Sequence, residues 1–226
     1  MKSERTRAII LRRTNYGEAD RVVQLLTPLG RRSVMARSVR REKSKLAGGI
    51  ELFAVSDIVI GQGKGDLGVL TSARLIQFYR HILEDYDRMQ FGYEALKLVA
   101  RASELVDEPE WYDVLAQVLA ALDAMTVDLR LTQTWFYMRY ADLLGHALGL
   151  EYDVEGRSLL AESNYRYDVG EKGLREIEGG VITASHIKLL RLIATKSLDK
   201  LAQIGGIGEV MNDCLLLARQ HAAIEG

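Results

Sequence analysis

The spacing of hydrophobic positions changes once along this chain, near residue 80. Before that point, short apolar runs of β type alternate with turn residues. The first run, Thr6–Arg13, centres on Ala8-Ile9-Ile10-Leu11. Val22–Thr27 follows Asn15-Tyr16-Gly17, and Leu29-Gly30 makes a tight connection into Arg32–Arg37. A basic stretch from Ser38 to Gly49 leads to Ile50–Ile60, in which Phe53 is expected to face the core; the last run is Leu67–Phe78. Gly61, Gly63, Gly65 and Gly68 flank a hairpin tip carrying Lys64 and Asp66. β-type runs on both sides of these glycines favour a hairpin over a phosphate loop, which needs a helix to follow. Five short strands with glycine turns predict a small barrel or sandwich of about 80 residues.

Beyond residue 80 the period becomes helical. Asp85 to Val106 places Met89, Tyr93, Leu96, Val99 and Ala100 three and four apart. Pro109 suits the first turn of a second helix, with Asp107 or Glu108 near its cap. Its apolar face is Trp111, Val114, Leu115, Val118, Leu119 and Leu122. A third helix is expected over Leu129–Leu148, with an aromatic stripe through Trp135, Phe136 and Tyr140 that reads as helix packing rather than a base-stacking surface. Residues 149–182 lose periodicity and carry six glycines, which predicts an irregular or short-stranded insertion. Thr183 then caps a helix through Leu189, Leu190, Leu192 and Ile193. A last helical pair is broken at Gly205-Gly206-Ile207-Gly208. The expected organisation is α+β: an N-terminal five-stranded barrel over 1–80, then an all-α helical domain over 81–226 with an insertion at about 149–182.

Charge changes this picture most. The chain of 226 residues is nearly neutral at -1, yet residues 1–50 carry thirteen Lys/Arg against four Asp/Glu. The segment RRSVMARSVRREKSK, residues 31–45, has seven basic side chains opposed only by Glu42. Such polarity attracts a polyanion, and nucleic acid is the first candidate. The stretch SVRREKSK is too charged for a core strand and is expected to be a mobile basic loop beside the barrel. Arg31 and Arg37 are expected on one face of the third strand and Arg32 on the other. The candidate binding residues are Arg12, Arg13, Arg21, Arg31, Arg37, Arg40, Arg41, Lys43 and Lys45. Aromatic residues are scarce in the first eighty positions, so affinity should come from phosphates and leave bases free to pair.

Other chemistries find little support. One cysteine, Cys214, excludes an internal disulfide and a cysteine zinc cluster. It sits in an apolar helical stretch and reads as a buried structural thiol. The four histidines stand far apart, and the acidic clusters fall on helix starts and loops. No catalytic constellation, metal or cofactor is predicted, so no enzyme activity is expected. No apolar run reaches the ~18 residues of a membrane span, and the expected location is the cytoplasm.

The stretch Tyr16-Gly17-Glu18-Ala19-Asp20-Arg21-Val22-Val23, then Leu25-Leu26-Thr27, Gly30, the basic Arg37–Lys45 loop and Asp66-Leu67-Gly68, resembles the bacterial RecO family of recombination mediators. The resemblance implies an N-terminal OB-fold, binding of single- and double-stranded DNA, and annealing of complementary strands. It also implies work with RecR and single-stranded-DNA-binding protein (SSB) in loading RecA, with the helical half serving partner contacts. Three positions depart from the family pattern. Ser38 stands where a glycine is expected, Leu52 where a proline is expected, and residues 150–182 lack the zinc-binding cysteines many members carry. Zinc is therefore not carried over.

Two other readings compete. Ile204–Gly208 resembles the turn of a helix-hairpin-helix binding duplex backbone through its amides, although Asn212 stands where that motif wants a small residue. A plain interhelical turn fits it better, and changes at Gly206 and Gly208 would then spare DNA binding. A non-enzymatic adaptor would instead dock its basic end on an acidic protein, and the salt dependence of DNA affinity separates that reading from DNA binding.

Overall fold

The computed structural model describes residues 3–65, 67–206 and 208–223, with Lys64 and Ala223 described in their main chains alone. The chain divides into two compact units, residues 1–123 and 124–226. Asp66, expected on a hairpin tip, and Ile207, central to the candidate duplex-binding turn, lie outside the described residues.

In the first unit, β1 (Ser3–Tyr16), β2 (Asp20–Thr27), β3 (Gly30–Ala36), β4 (Ala54–Lys64) and β5 (Leu67–Phe78) close a barrel in the order β1-β2-β3-β5-β4. All neighbours are antiparallel except β3 and β5. This is a five-stranded OB-type barrel. Its core is Ala8, Ile10, Val23, Leu25, Val34, Ala36, Ile58, Ile60 and Leu70, joined by Val39 and Ile50 from outside the strands. The glycine-rich stretch is the β4–β5 hairpin; a Cβ on Gly63 would stand 1.8 Å from the Leu67 carbonyl oxygen, so only glycine lets the two chains approach there.

The strand expected from Ile50 starts instead at Ala54. Residues 46–50 fold over the core through a 3-10 turn at Ala47–Gly49, and Phe53 turns the chain at φ +56°. Phe53 is buried as expected, with its ring on Gly92, where a Cβ would meet it at 2.9 Å.

Gly92 belongs to α1 (Tyr86–Leu105), which begins where Asp85 accepts a hydrogen bond from the Arg88 N–H. Its buried face is rotated from the expected one: Leu96 and Val99 are buried, but Tyr93 is exposed and Arg88 is buried. The cause lies in α2 (Glu110–Asp123), which ends beneath Arg88. The guanidinium donates to the Ala121 and Leu122 carbonyls at 3.3 and 3.1 Å, a cation on the negative end of a helix. α2 starts directly after Pro109 and buries all six apolar residues expected of it. Both helices pack on the barrel, α1 on β1 and β3 and α2 on β2 and β3. The compact unit therefore extends past the strands to Asp123.

In the second unit, α3 (Leu129–Leu143) buries Trp135, Phe136 and Tyr140 as a packing stripe against α4 (Ala184–Thr195) and α6 (Met211–Ala223). It ends five residues earlier than expected because Gly145 takes φ +83° and breaks the helix. At the start of α4, His186 Nδ1 accepts the Thr183 N–H at 3.1 Å, so the cap works through the histidine ring. The candidate duplex-binding turn joins α6 to α5 (Leu198–Leu201), a single turn, and Asn212 accepts from the Arg130 guanidinium at 3.0 Å. Cys214 is buried, and burial pushes its thiol up to about 12.

The insertion holds a hairpin, β6 (Tyr165–Asp168) and β7 (Gly173–Glu176). Ion pairs bind it together. Arg157 meets Asp153 at 2.7 Å, Glu155 at 3.2 Å and Glu176 at 3.4 Å. Arg175 meets Asp168 at 2.7 Å and Glu155 at 3.1 Å. No cluster of metal-ligating side chains occurs among the described residues. Burial alone would raise the Asp153 carboxyl, but hydrogen bonds from Arg157 and the Glu155 N–H outweigh it and hold it below the usual carboxylate range. The Arg175 guanidinium holds Asp168 low in the same way. Carboxyls depressed in the folded state stabilise it fully above their unfolded pKa of about 3.9, and that contribution falls away as pH drops through the lower folded values. The hairpin should therefore loosen at acid pH before chelators have any effect. Protection of the 165–176 amides against hydrogen exchange, corrected for the intrinsic rate at each pH, should fall below about pH 4 and stay unchanged by a metal chelator at pH 7.

Candidate nucleic-acid interface

The basic segment begins where β3 ends. Arg37 lies outside the strand, so it does not share the Arg31 face as expected. Arg37, Arg40, Arg41, Lys43 and Lys45 are all exposed, and none forms an ion pair with a described residue. Their only neighbour of opposite sign in sequence is Glu42.

The segment is tied down rather than loose. Val39 is 3% exposed and joins the barrel core between two arginine-bearing turns. The Arg40 N–H donates to the Ala19 carbonyl at 2.9 Å, and the Arg40 guanidinium donates to the Gly17 carbonyl at 3.1 Å. Asp20 Oδ1 accepts the Ser38 N–H at 2.6 Å. The Arg41 N–H reaches the Ser38 carbonyl and the Ser44 N–H reaches the Arg41 carbonyl, which makes consecutive tight turns. Gly17 and Ala19 lie in the turn joining β1 and β2, and Asp20 opens β2. The Gly-Glu-Ala-Asp stretch that carried the family resemblance is thus the mooring of the basic loop.

Ser38 adopts φ +54°, the left-handed region where a side chain costs of order 1 kcal/mol. This is the position where the sequence resemblance implies a glycine.

The remaining candidates fall into two groups. Arg12 is exposed and Arg21 is half-buried, donating to Asn15 Oδ1 at 3.1 Å. Arg13 and Arg31 are already balanced. Arg13 pairs with Glu51 at 2.8 Å; Arg31 pairs with Glu104 at 2.8 Å while its N–H donates to Asp107 Oδ1 at 3.0 Å. Arg31 thus holds the barrel to α1. Its partner lies 73 residues away in sequence, and no local pattern marks it.

The orientation of Arg12 has a specific cause. β1 carries a bulge between Ile10 and Arg12, where Leu11 has no partner in β2. One extra residue reverses which side chains face the barrel interior. Ile10 opposes the core residue Leu25, but Arg12 opposes Gln24 and so faces outward, while Arg13 opposes the core residue Val23 at the barrel mouth.

Two family models match the chain. That described as Recombination protein O N terminal matches residues 1–79, and that described as Recombination protein O C terminal matches residues 83–220. The chain belongs to the RecO family. The boundary between the two matches falls at the end of the strands. The chain is 30% identical over 226 residues to the DNA repair protein RecO of Dehalococcoides mccartyi (strain ATCC BAA-2266 / KCTC 15142 / 195), covering 96% of this chain and 88% of that protein. It is 34% identical over 165 residues to the DNA repair protein RecO of Roseiflexus sp. (strain RS-1), covering 72% of this chain and 57% of that one. RecO proteins are thus its relatives at both barrel and helices, and no helix among the described residues is long and apolar enough to cross a membrane.

The mooring can be tested by its stability. Asp20→Ala removes the acceptor of the Ser38 N–H and should cost about 1–2 kcal/mol in denaturant unfolding. Ser38→Gly should stabilise by about 0.5–1 kcal/mol, because glycine takes positive φ without strain.

Proposed function

We propose that this RecO-family chain is a DNA-binding recombination mediator and strand-annealing factor in recombinational DNA repair. The observation that carries the reading is the moored loop: five exposed cations, Arg37, Arg40, Arg41, Lys43 and Lys45, held beside one mouth of an OB-type barrel. A moored loop loses little conformational freedom on binding, so more of the electrostatic attraction appears as affinity. Arg12 and Arg21 extend the surface, and Arg13 and Arg31 support it while neutralised by Glu51 and Glu104. Phosphate contacts dominate such a surface, and bases left free can pair with a second strand.

The names of the relatives, DNA repair proteins, support the repair setting. In that setting the partners are single- and double-stranded DNA, RecR, SSB and RecA, with the helices offering the protein contacts. The protein acts as a mediator without chemistry of its own, in the cytoplasm where the DNA lies.

The decisive assay is annealing of complementary strands coated with single-stranded-DNA-binding protein. Arg40 also braces the loop through Gly17, so the clean variant neutralises only Arg37, Arg41, Lys43 and Lys45. This variant should keep its melting temperature and lose annealing. The five loop cations alone should contribute about -3.5 to the log–log salt slope of wild-type affinity for single strands, and the variant's slope should shrink by about 2.8. Normal annealing by the variant would show that the loop is not the site. Absence of DNA binding at low salt would favour an adaptor that docks its basic end on an acidic protein.

A further inference from the structure

A groove of about 550 Å³ lies in the first unit where the outer face of β1 and β2 meets α1. Leu11, Leu52, Leu96 and Ala100 form its apolar floor, and Gln24 and Tyr93 stand along it. Three cations rim it: Arg12 from the strand, Lys97 and Arg101 from the helix. All three are exposed, and none has an ion pair with a described residue. The one acid in the lining, Glu104, is occupied by Arg31.

Sequence distance hides this arrangement, since Lys97 and Arg101 sit in a helix of mixed charge. The fold assembles it in two steps. The bulge at Leu11 turns Arg12 outward, and the rotation of α1 that buries Arg88 leaves Tyr93, Lys97 and Arg101 facing solvent along one stripe. Residues 93, 97 and 101 are spaced by four, so they line up along one side of the helix, with about 6 Å between neighbours. Tyr93 is 43% exposed; one part of its ring leans on Phe53 at 4.8 Å between centroids, which fixes the ring in place.

We propose that this groove is a second segment of the nucleic-acid path, binding single strands with phosphates on Arg12, Lys97 and Arg101 and a base against Tyr93. The inference rests on the reading of the moored loop as a DNA site. It is favoured over an acidic peptide by continuity. Arg12 lies four residues from Tyr16, about 13 Å along β1, and the turn that follows carries the carbonyls that hold Arg40. A strand leaving the basic loop can therefore follow the β1–β2 hairpin and meet positive charge again at the groove. The surface also combines what single-strand sites need, a track of cations beside an aromatic ring, with an amide, Gln24, able to meet a base edge.

The test compares fluorescence anisotropy of dT oligonucleotides and matched abasic oligonucleotides. Full-length wild type is set against the loop variant above, a groove variant (Arg12→Gln, Lys97→Gln, Arg101→Gln) and Tyr93→Leu, each checked by thermal melting. The groove variant should bind dT at least about tenfold more weakly at low salt, with a salt slope smaller by about 2. Tyr93→Leu should weaken dT binding about fivefold or more and leave the abasic strand unaffected. In unsubstituted protein, ultraviolet cross-linking to an iododeoxyuridine strand should map to Tyr93. If the groove variant binds like wild type while the loop variant fails, the groove is overturned and the loop reading stands. If wild type binds no single strand, both fall. Loss of affinity for an Asp/Leu-repeat peptide in the groove variant, with DNA binding intact, would assign the groove to an acidic protein segment and overturn the proposal.

Discussion

Strand β1 has to serve two partners, and the rest of the first unit follows from how it does so. Its first half, Ser3 to Ile9, pairs with β4; its second half, Ile9 to Tyr16, pairs with β2. Only a strand of this length, bent near its middle, can close five strands on themselves. The bend falls beside the bulge at Leu11. There the apolar run Ala8-Ile9-Ile10-Leu11 faces two ways: Ala8 and Ile10 fill the barrel, while Ile9 and Leu11 are buried outside it, where α1 packs. Four consecutive apolar residues are thus the signature of a strand covered on both faces. The same extra residue decides where two arginines go: Arg12 outward beside α1, Arg13 to the mouth and Glu51.

The basic loop is the second consequence. A run of five cations resists compaction through mutual repulsion, and left alone it would wander. Here one apolar residue, Val39, is inserted into the core, while the β1–β2 turn supplies two carbonyls and the first residue of β2 a carboxylate as anchors. The anchors grip the main chain and the Arg40 side chain, leaving Arg37, Arg41, Lys43 and Lys45 in water. Fixing the backbone while freeing the charges is the arrangement a phosphate-binding surface requires. Ser38, held at positive φ, is a strained point within it.

Much of this was legible in the chain. The β-type runs at Val22–Thr27 and Leu67–Phe78 emerged almost to the residue, because turn glycines bound them. Helix starts are readable near Asp85 from the three-and-four spacing that follows it and at Thr183 from its residue type, because both signals are local. What escaped depends on distant partners. The face of α1 was misjudged because Arg88 is buried by the end of α2, 33 and 34 residues on. Arg31 looked like a free cation, and Glu104 neutralises it from another element. Leu148 looked like a helix residue until Gly145 ended α3 at a left-handed turn. A bulge leaves no mark in hydrophobic alternation when both faces of the strand are buried, so the outward aim of Arg12 could not be read.

The segregation of charge seen in the first fifty residues acquires a structural sense when the acids are followed to their partners. In the first unit, Asp85 caps α1, Asp107 holds the Arg31 N–H, Glu104 and Glu51 each hold an arginine, and Asp57 holds Arg5. These acids are consumed in fixing helix and barrel, so they do not mask the cations beside the mouth. In the second unit four acids of the insertion, Asp153, Glu155, Asp168 and Glu176, are paired with Arg157 and Arg175. These pairs join the 153–157 turn to both strands of the hairpin, β6 through Asp168 and β7 through Arg175 and Glu176. Such pairs hold only while their carboxylates remain ionised. The hold on this hairpin is therefore sensitive to acid, through the Asp153 and Asp168 carboxyls that their arginine partners keep low.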